Sequence, residues 1–241
     1  MRDWAFRNTM YRTLYCYQKH TNLASQRTAM AMGFRQVEAY PDEVNGITTV
    51  YAMTKAEWRA RAGEDNPVLD AIRDRRSYRG AYATTPVPRH DLAAILQAGC
   101  DAPSGCNKQT ASFVAVDDAD VLARIKAVID PPVAESAPAM IAVLTRRINA
   151  YRDKCFAVQD YSAAIENMLL AIHALGYASC WYEGHITDDD RICDKIAAIL
   201  NVPEEYDLVC ILPVGVPLQA VPAPKKKAFA EKAFFNSFGE S

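Results

Sequence analysis

The chain has 241 residues, of which half are hydrophobic and 23% are charged, so it can bury a sizeable core. Its formal net charge of -2 argues against a global basic field that would attract nucleic acid or an anionic membrane. No apolar run approaches the roughly 20 residues of a membrane helix, and the N-terminal residues lack the apolar segment of a secretory signal.

The N-terminal part predicts a helix and a hairpin. A helix is expected at residues 23–32, because Asn22 is a good N-cap and Gly33 can take the left-handed conformation that ends a helix. Two strand-like runs, residues 35–44 and 47–54, flank Asn45-Gly46, the pair best suited to a type I′ turn. The first 60 or so residues are little material for an independent core.

A polar segment that contains Gly63 and Pro67 predicts a boundary, so we divide the chain into residues 1–62 and 63–241. The second part begins with Asn66-Pro67, a cap followed by proline at the first helical position. Further helical and strand patterns alternate and predict an α+β fold, with helices around residues 92–99, 121–129, 165–175 and 192–200 and strands at 112–116, 139–144 and 208–216.

Three of these elements carry additional information. The helix at residues 165–175 is apolar or small on most sides, so it should be central and largely buried. Thr187 and the three aspartates after it predict the capped start of the last helix. The strand at residues 208–216 is apolar throughout and is expected inside the sheet.

The cysteines and histidines predict neither a disulfide nor a metal site. Seven cysteines are present, none in C-x-x-C spacing, and the four histidines show no ligand spacing. An odd number of thiols, several in apolar stretches, is typical of free cysteines in a reducing compartment. We therefore expect a cytoplasmic protein with free thiols and no bound metal.

The first cluster with chemical potential is Arg75-Arg76-Ser77-Tyr78-Arg79, at the end of a predicted helix. Three guanidinium groups beside a hydroxyl suit a dianionic phosphate, because planar guanidiniums bind phosphate oxygens bidentately. Cations at a helix C-terminus are also favoured by the helix dipole alone. Taken by itself, the cluster therefore leaves a purely solvated helix end open.

Two further clusters are weak in isolation. The loop at residues 102–109 contains Pro103, Ser104 and Gly105 with free backbone amides, and Asn107 and Gln109 could hydrogen-bond the edge of a heterocycle. The stretch at residues 176–184 is an aromatic run that ends in Glu-Gly, where glycine permits close approach to a flat ligand. An ordinary loop and an ordinary core strand would look the same.

In this order and spacing the three clusters resemble the nitroreductase family of flavoproteins. That family has an R-R-S-x-R run, an A-P-S-x-x-N-x-Q loop, a central helix with N-x-L-L-A (here residues 167–171) and a late basic segment (here residues 224–227). The resemblance covers about residues 66–239. It implies a mixed sheet flanked by helices, preceded by a small α/β fragment, in a homodimer with flavin sites at the interface.

The resemblance assigns contacts with flavin mononucleotide (FMN) to residues of each cluster. Arg75, Arg76 and Ser77 would hold the ribityl chain and phosphate, and Arg79 would lie near the pyrimidine edge. Lys225 and Lys227, from the late basic segment, would also bind the phosphate.

The other assigned contacts lie nearer the flavin ring. Pro103, Ser104 and Gly105, with Asn107 in the same loop, would reach the flavin of the other subunit. The backbone N–H of Glu183, with Gly184, would point at flavin N5, and Trp181 and Tyr182 belong to the same stretch. No side chain needs to act as acid or base, because the flavin carries the chemistry.

The implied activity is transfer of hydride from NADH or NADPH, through FMN, to a nitroaromatic, quinone or related small acceptor by a ping-pong mechanism. Two departures leave the substrate class open. Thr110-Ala111 stand where family members often have Pro-Trp, and the segment before the central helix is short. A shortened pocket also keeps an alternative open, a carrier or sensor that holds FMN without efficient turnover.

Residues 1–62 resemble the C-terminal portion of a GNAT-type acetyltransferase, in a helix opened by residues 22–25, Gly33-Phe34 and two following strands. That family binds acetyl-CoA through an earlier glycine-rich turn, but Gly33 and Gly46 are the only glycines before residue 63. The segment is therefore expected to be a non-catalytic fragment that packs on the reductase or pairs with its own copy. Acetyl transfer is the least favoured interpretation.

Overall fold

The computed structural model describes residues 2–62, 66–129, 134–183 and 191–239. Two compact units divide the chain, residues 71–221 in one and residues 1–70 with 222–241 in the other. The C-terminal segment, which the sequence analysis assigns to the second domain, therefore belongs to the first unit. The functional division between residues 62 and 63 stays a prediction.

The first unit is a three-stranded antiparallel sheet with helices. Its elements are α1 Arg2–Asn8, β1 Thr13–Lys19, α2 Leu23–Ala31, β2 Arg35–Asp42, β3 Gly46–Thr54, α3 Lys55–Ala62 and a 3-10 turn at Phe229–Glu231. The strand order is β1-β3-β2, so β3 is the central strand. Phe6, Phe34, Tyr51, Met53 and Trp58 form its small core with Ala29.

Helix α2 forms for the reasons that the sequence indicates. The Asn22 side chain accepts a hydrogen bond from the Ser25 N–H, and Gly33 ends the helix at φ +93. The predicted type I′ turn is wrong. Gly46 is left-handed but Asn45 is not, whereas a type I′ turn needs positive φ at both central residues. The Asp42 carboxylate instead accepts hydrogen bonds from the Val44 and Asn45 N–H groups.

Helix α3, which the sequence analysis does not predict, begins with a capping box. The Thr54 hydroxyl accepts a hydrogen bond from the Glu57 N–H at 3.1 Å, and the Glu57 carboxylate accepts one from the Thr54 N–H at 2.7 Å. Glu57 also pairs with Arg35 on β2, at 2.7 Å. These contacts tie the start of the helix to the edge of the sheet. Strand β1 and helix α1 are also absent from the sequence-based prediction.

The second unit has helices on both faces of a sheet. Helix α4, Pro67–Asp74, contains the division between the units and has the predicted Asn66 cap. The remaining elements are α5 Arg89–Cys100, a 3-10 turn at Gly105–Asn107, β4 Ala111–Val116, α6 Ala119–Lys126, β5 Ala139–Thr145, β6 Asn149–Tyr151, β7 Lys154–Cys155, α7 Ala157–Ala174, β8 Tyr182–Glu183, α8 Ile192–Ile199 and β9 Asp207–Val214.

The main sheet has the order β4-β5-β9-β8, and every pair of these strands is antiparallel. The α+β class is confirmed, but the predicted mixed sheet is wrong for these strands; in the described part of the chain the parallel pairing is the isolated bridge between Ser77 and Ser179. β9 lies inside the sheet, as predicted. α5 and α7 pack on one face, whereas α6 and α8 pack on the other.

Predicted Thr187 lies outside the described residues, and helix α8 begins after Arg191. None of the described helices combines the length and the apolar character needed to cross a membrane. All seven cysteines are free, as predicted.

The capping box gives the first unit a pH-dependent stability. The hydrogen bond from the Thr54 N–H, followed by the Arg35 guanidinium, lowers the pKa of Glu57 from 4.5 to about 2. A carboxyl whose pKa is lowered by folding stabilises the folded protein fully at pH values above its pKa in the unfolded chain. This stabilisation is lost as the pH falls towards the lower pKa of the folded state. Glu57→Ala is expected to cost about 0.5 to 1 kcal/mol near neutral pH, since the carboxyl is partly exposed.

Thermal melts followed by circular dichroism measure this effect. The Tm difference between wild type and Glu57→Ala should shrink as the pH falls from about 5 to about 3. Glu38→Ala, on exposed strand β2, is the control and should give a small difference at every pH. A Glu57→Ala difference that stays constant over this range would contradict the assigned role of the charge.

Candidate functional site

Helix α7 is the scaffold of the candidate site. It packs on α5 and on the sheet strands β4 and β5 through apolar residues that include Ile165, Met168 and Ile172. Its polar side chains Asp160, Tyr161 and Glu166 each contact a different cluster from the sequence analysis. A single buried helix therefore fixes the positions of all three clusters.

The loop at residues 102–109 is anchored by Asp160, which is 4% exposed. One carboxylate oxygen accepts a hydrogen bond from the Gly105 N–H at 2.7 Å, and the other accepts one from the hydroxyl of buried Thr110, also at 2.7 Å. Both oxygens are thus matched by donors, as a buried carboxylate requires. This contact sets where the loop lies.

The same loop has an unusual backbone. Cys106, Asn107 and Gln109 have φ values of +50, +54 and +49, a conformation that costs non-glycine residues of the order of 1 kcal/mol each. The Ser104 hydroxyl accepts a hydrogen bond from the Gln109 N–H at 2.9 Å and closes the turn. Gly105 lies so close to Phe156 that an added Cβ would come within 2.6 Å of that ring. Backbone groups of the turn are therefore held in a shape that ordinary loops do not take.

The arginine cluster offers unused donors. Arg75 and Arg76 are half-buried, and among the described residues their buried Nε atoms have no hydrogen-bond partner. Arg76 Nη1 donates to the carbonyl oxygens of Arg73 and Arg75, at 2.6 and 2.7 Å. Arg75 Nε lies 3.4 Å from a Glu166 oxygen, an ion pair that is too loose to count as a hydrogen bond. These guanidiniums are suited to an anionic ligand with several oxygens.

The first and third clusters lie side by side. The Tyr78 N–H donates to the Ser179 carbonyl at 2.8 Å, and Ser77 and Ser179 form a parallel bridge. Two residues further along, the Trp181 ring meets Tyr161 of α7 edge-on, with 6.3 Å between centroids. The segment from Ser179 to Trp181 thus connects the arginine cluster to α7.

Burial raises the pKa values of one tyrosine and three cysteines near the site. Burial, and then the negative charge of Glu183, raises the pKa of Tyr161. Burial also raises the pKa values of the Cys180, Cys193 and Cys210 thiols, that of Cys193 to about 12. These three thiols remain protonated at neutral pH and are unsuited to act as nucleophiles.

Not every residue assigned from the sequence is brought to this place. Tyr182 is 6% exposed and its side chain lies in the core, so only its backbone could meet a ligand. Lys225 and Lys227 belong to the first unit, and their part in the site stays a prediction. Gly184 lies outside the described residues. Ser77, Arg79 and Glu183 are exposed.

Four residues that organise the site have no role in the sequence-based assignment: Asp160, Tyr161, Glu166 and Ser179, of which Ser179 lies within the third cluster. One signal was available, because an acidic residue at position 160 opens a helix whose other positions are mostly small or apolar. The contacts of the other three join residues far apart in the chain and leave no local pattern.

Comparison with known proteins gives a consistent result. The model of the nitroreductase family matches residues 72–130 and 126–216. A protein of Methanothermobacter thermautotrophicus strain Delta H, provisionally named an NADH dehydrogenase/NAD(P)H nitroreductase, is 31% identical over 153 residues, which are 63% of this chain and 78% of that protein. The acetyltransferase resemblance of residues 1–62 lies outside the family match and stays a prediction.

Two nitroreductases are among the solved structures that are similar to the chain. A nitroreductase with bound FMN from Bacteroides fragilis NCTC 9343 has a TM-score of 0.57 at 30% identity, and the match covers 71% of this chain and all of that one. An FMN-dependent nitroreductase from Clostridium difficile R20291 has a TM-score of 0.60 at 26% identity, covering 70% of this chain and 99% of that one.

The Asp160 anchor predicts a large loss of stability on its removal. Asp160→Ala removes two hydrogen bonds to a buried carboxylate and leaves the Thr110 hydroxyl without its acceptor, so it should cost about 2 to 4 kcal/mol in urea unfolding. Thr110→Val and the double variant complete a cycle in which the two losses should not add. Asp153→Ala, at an exposed aspartate, is the control. Equal losses for Asp160→Ala and Asp153→Ala would refute the anchor.

Proposed function

This chain belongs to the nitroreductase family, and we propose that it is an FMN-dependent oxidoreductase that works as a homodimer. The observation that carries the proposal is the pair of half-buried guanidiniums, Arg75 and Arg76, whose Nε atoms lack hydrogen-bond partners among the described residues. The two arginines come directly before Ser77 and Tyr78, which pair with Ser179. Ser179 in turn lies two residues before Trp181 in the chain. FMN in a similar solved nitroreductase supports the choice of cofactor.

The donor set fits a terminal monophosphate. Guanidinium groups present planar pairs of N–H donors, which match two phosphate oxygens at once. We propose that Arg75, Arg76 and Ser77 hold the ribityl phosphate, and that Lys225 and Lys227 add positive charge to it. The chain has no G-x-G-x-x-G turn for a dinucleotide, which favours FMN over FAD.

Bound FMN would supply the redox chemistry by accepting hydride from NADH or NADPH and passing it to an acceptor. The chain's own residues would bind the FMN and orient it. We propose that Arg79, which is exposed, stabilises negative charge at the pyrimidine edge, and that the Glu183 N–H and Gly184 meet N5. Trp181 is held by Tyr161 and by a hydrogen bond from its indole N–H to Glu183, at 3.0 Å.

The acceptor is proposed to be a nitroaromatic, a quinone or a related flat molecule, reduced in a ping-pong cycle. Between β5 and α7 the chain makes only the short hairpin of β6 and β7, and β6 lies against the turn at Gly105–Asn107. This hairpin lies in the segment before the central helix, which is short in the sequence, and we propose that it is a small cover of the acceptor pocket. An FMN carrier or sensor without efficient turnover is the alternative, because a small cover leaves little surface to select an acceptor.

The dimer is proposed from the family and from exposed apolar side chains. On α4, Val68, Leu69 and Ile72 are all more than half exposed, on a helix that buries none of its residues. Exposed apolar stripes of this kind mark surfaces that bind a partner. We propose that Pro103, Ser104, Gly105 and Asn107 complete the flavin site of the second subunit.

Removal of the two guanidiniums should release the cofactor. Arg75→Ala/Arg76→Ala is expected to weaken FMN binding at least about 100-fold, a loss of about 3 kcal/mol, because two charge-assisted contacts are lost. Flavin fluorescence titration measures the change. The control is Arg89→Ala/Arg124→Ala, which removes two exposed arginines elsewhere in the same unit. Unchanged FMN affinity in the first double variant would overturn the site assignment.

Turnover distinguishes the oxidoreductase from the carrier. The FMN-loaded protein should oxidise NADH or NADPH in the presence of menadione or nitrofurazone, with parallel lines in double-reciprocal plots as ping-pong kinetics require. Absorbance at the nicotinamide band follows the reaction. Stoichiometric FMN binding without turnover on either acceptor would favour the carrier or sensor instead.

A further inference from the structure

The two edges of the sheet in the first unit differ in their protection. Edge strand β2 carries a bulge between Gln36 and Glu38, a proline at position 41 and charged side chains along its length. Such features prevent a strand from pairing with another chain. Edge strand β1, Thr13–Lys19, has no proline, no bulge in its pairing with β3, and a single charge at its last residue. β1 is therefore an unprotected edge.

The register shows which backbone groups of β1 point outward. The His20 N–H donates to the Ile47 carbonyl, and the Lys55 N–H donates to the Arg12 carbonyl, so even-numbered residues direct their backbone groups to β3. The odd-numbered residues Thr13, Tyr15 and Tyr17 direct theirs to the free edge. Within the described ranges, no backbone hydrogen bond to them is found outside the sheet.

We propose that β1 pairs antiparallel with β1 of a second copy of this chain, with the two-fold axis at Cys16. This register places Tyr15 opposite Tyr17 of the second copy, so that their outward N–H and C=O groups exchange hydrogen bonds. It pairs all seven residues of the strand. Symmetric registers centred on Tyr15 or Tyr17 overlap over fewer residues and satisfy fewer groups.

The side chains are compatible with the same partner. Tyr15 and Tyr17 are 57% and 63% exposed on one face, and in the proposed register each meets the other's copy across the strands. Aromatic cross-strand pairs stabilise sheets. The charge at Lys19 falls opposite neutral Thr13, so the pairing brings no like charges together. These features favour a second copy over a partner of different sequence.

The register makes one distance directly measurable. Cys16 lies at a position without mutual backbone hydrogen bonds, where Cα atoms of facing residues are about 4.5 Å apart. That separation is within the range that a disulfide spans, about 4.4 to 6.8 Å. An added oxidant can therefore join the two Cys16 thiols: the S–S bond forms as the two S–H bonds break, two protons pass to water, and two copper(II) phenanthroline complexes each take one electron. The bond serves as a probe of the register.

The experiment uses the full chain with Cys100, Cys106 and Cys155, the exposed cysteines, replaced by serine. Brief oxidation should convert most of the protein to a species of twice the chain mass on a non-reducing gel. The same background with Cys16→Ser should give less than a tenth of that species. Absence of the Cys16-dependent species would overturn the proposal.

A second variant distinguishes strand pairing from chance collision. Tyr15→Pro removes an N–H that points to the free edge and leaves the hydrogen bonds to β3 in place. It should reduce the cross-linked species at least about tenfold with an unchanged circular dichroism spectrum. Tyr15→Thr, which keeps the backbone N–H, should still form the cross-linked species. Cross-linking that persists in Tyr15→Pro would show that the edge is not used.

Amide hydrogen exchange provides a readout without cysteine chemistry. In wild type the amides of Tyr15 and Tyr17 should be protected from exchange. Both should exchange at least about tenfold more slowly than the Tyr17 amide does in the Tyr15→Pro variant. Fast exchange in wild type would overturn the pairing. Slow exchange without Cys16 cross-linking would assign the edge to a partner other than a second copy, and would likewise overturn the proposal. Flavin binding is not involved in either result.

Discussion

A buried carboxylate needs hydrogen-bond donors. Asp160, which is 4% exposed, accepts hydrogen bonds from Gly105 and Thr110, at the two ends of one loop. The loop between Gly105 and Thr110 includes three left-handed non-glycine residues, so a free peptide of this sequence would leave that conformation. Because Asp160 is in the first turn of a helix that packs on the sheet, the core itself fixes the loop. The same helix places Tyr161 against Trp181 and Glu166 near Arg75. The geometry of the candidate site is therefore set by how α7 is buried.

The elements that the sequence predicts well are those with local signals at their ends. Asn22 and Gly33 bound α2, Asn66 caps α4, and Gly176 follows α7 with φ +87. Each signal acts within one turn of the chain, so no tertiary knowledge is needed to find it. The interior strand β9 could be predicted because both of its faces are buried, which leaves a continuous apolar run.

The elements that were missed have weak or overlapping signals. Edge strand β1 is half exposed, so its apolar alternation is faint. The capping box of α3 begins at Thr54, which is also the last residue of strand β3. The β-branched residues of that strand predict Thr54 as a strand residue, which conceals its role as a helix cap. The hairpin of β6 and β7 turns at Arg152, which is left-handed without being glycine. In the site, the family resemblance selects residues that bind a ligand, but the contacts that hold them, such as Tyr78 with Ser179, join segments about a hundred positions apart.

The charges around Arg75 bear on which ligand the site selects. Arg75, Arg76 and Arg79 bring three guanidiniums to one short segment, and Glu166 is the carboxylate that pairs with Arg75. At 3.4 Å and with Glu166 about half exposed, that pair is weak and solvated, so a dianion can compete for the guanidinium. In the proposed phosphate site the two guanidiniums of Arg75 and Arg76 outnumber the one carboxylate of Glu166, so a net positive charge faces the phosphate. A pyrophosphate diester spreads a similar charge over two groups and would need donors further along the chain, which is why we propose a terminal monophosphate as the ligand of Arg75 and Arg76.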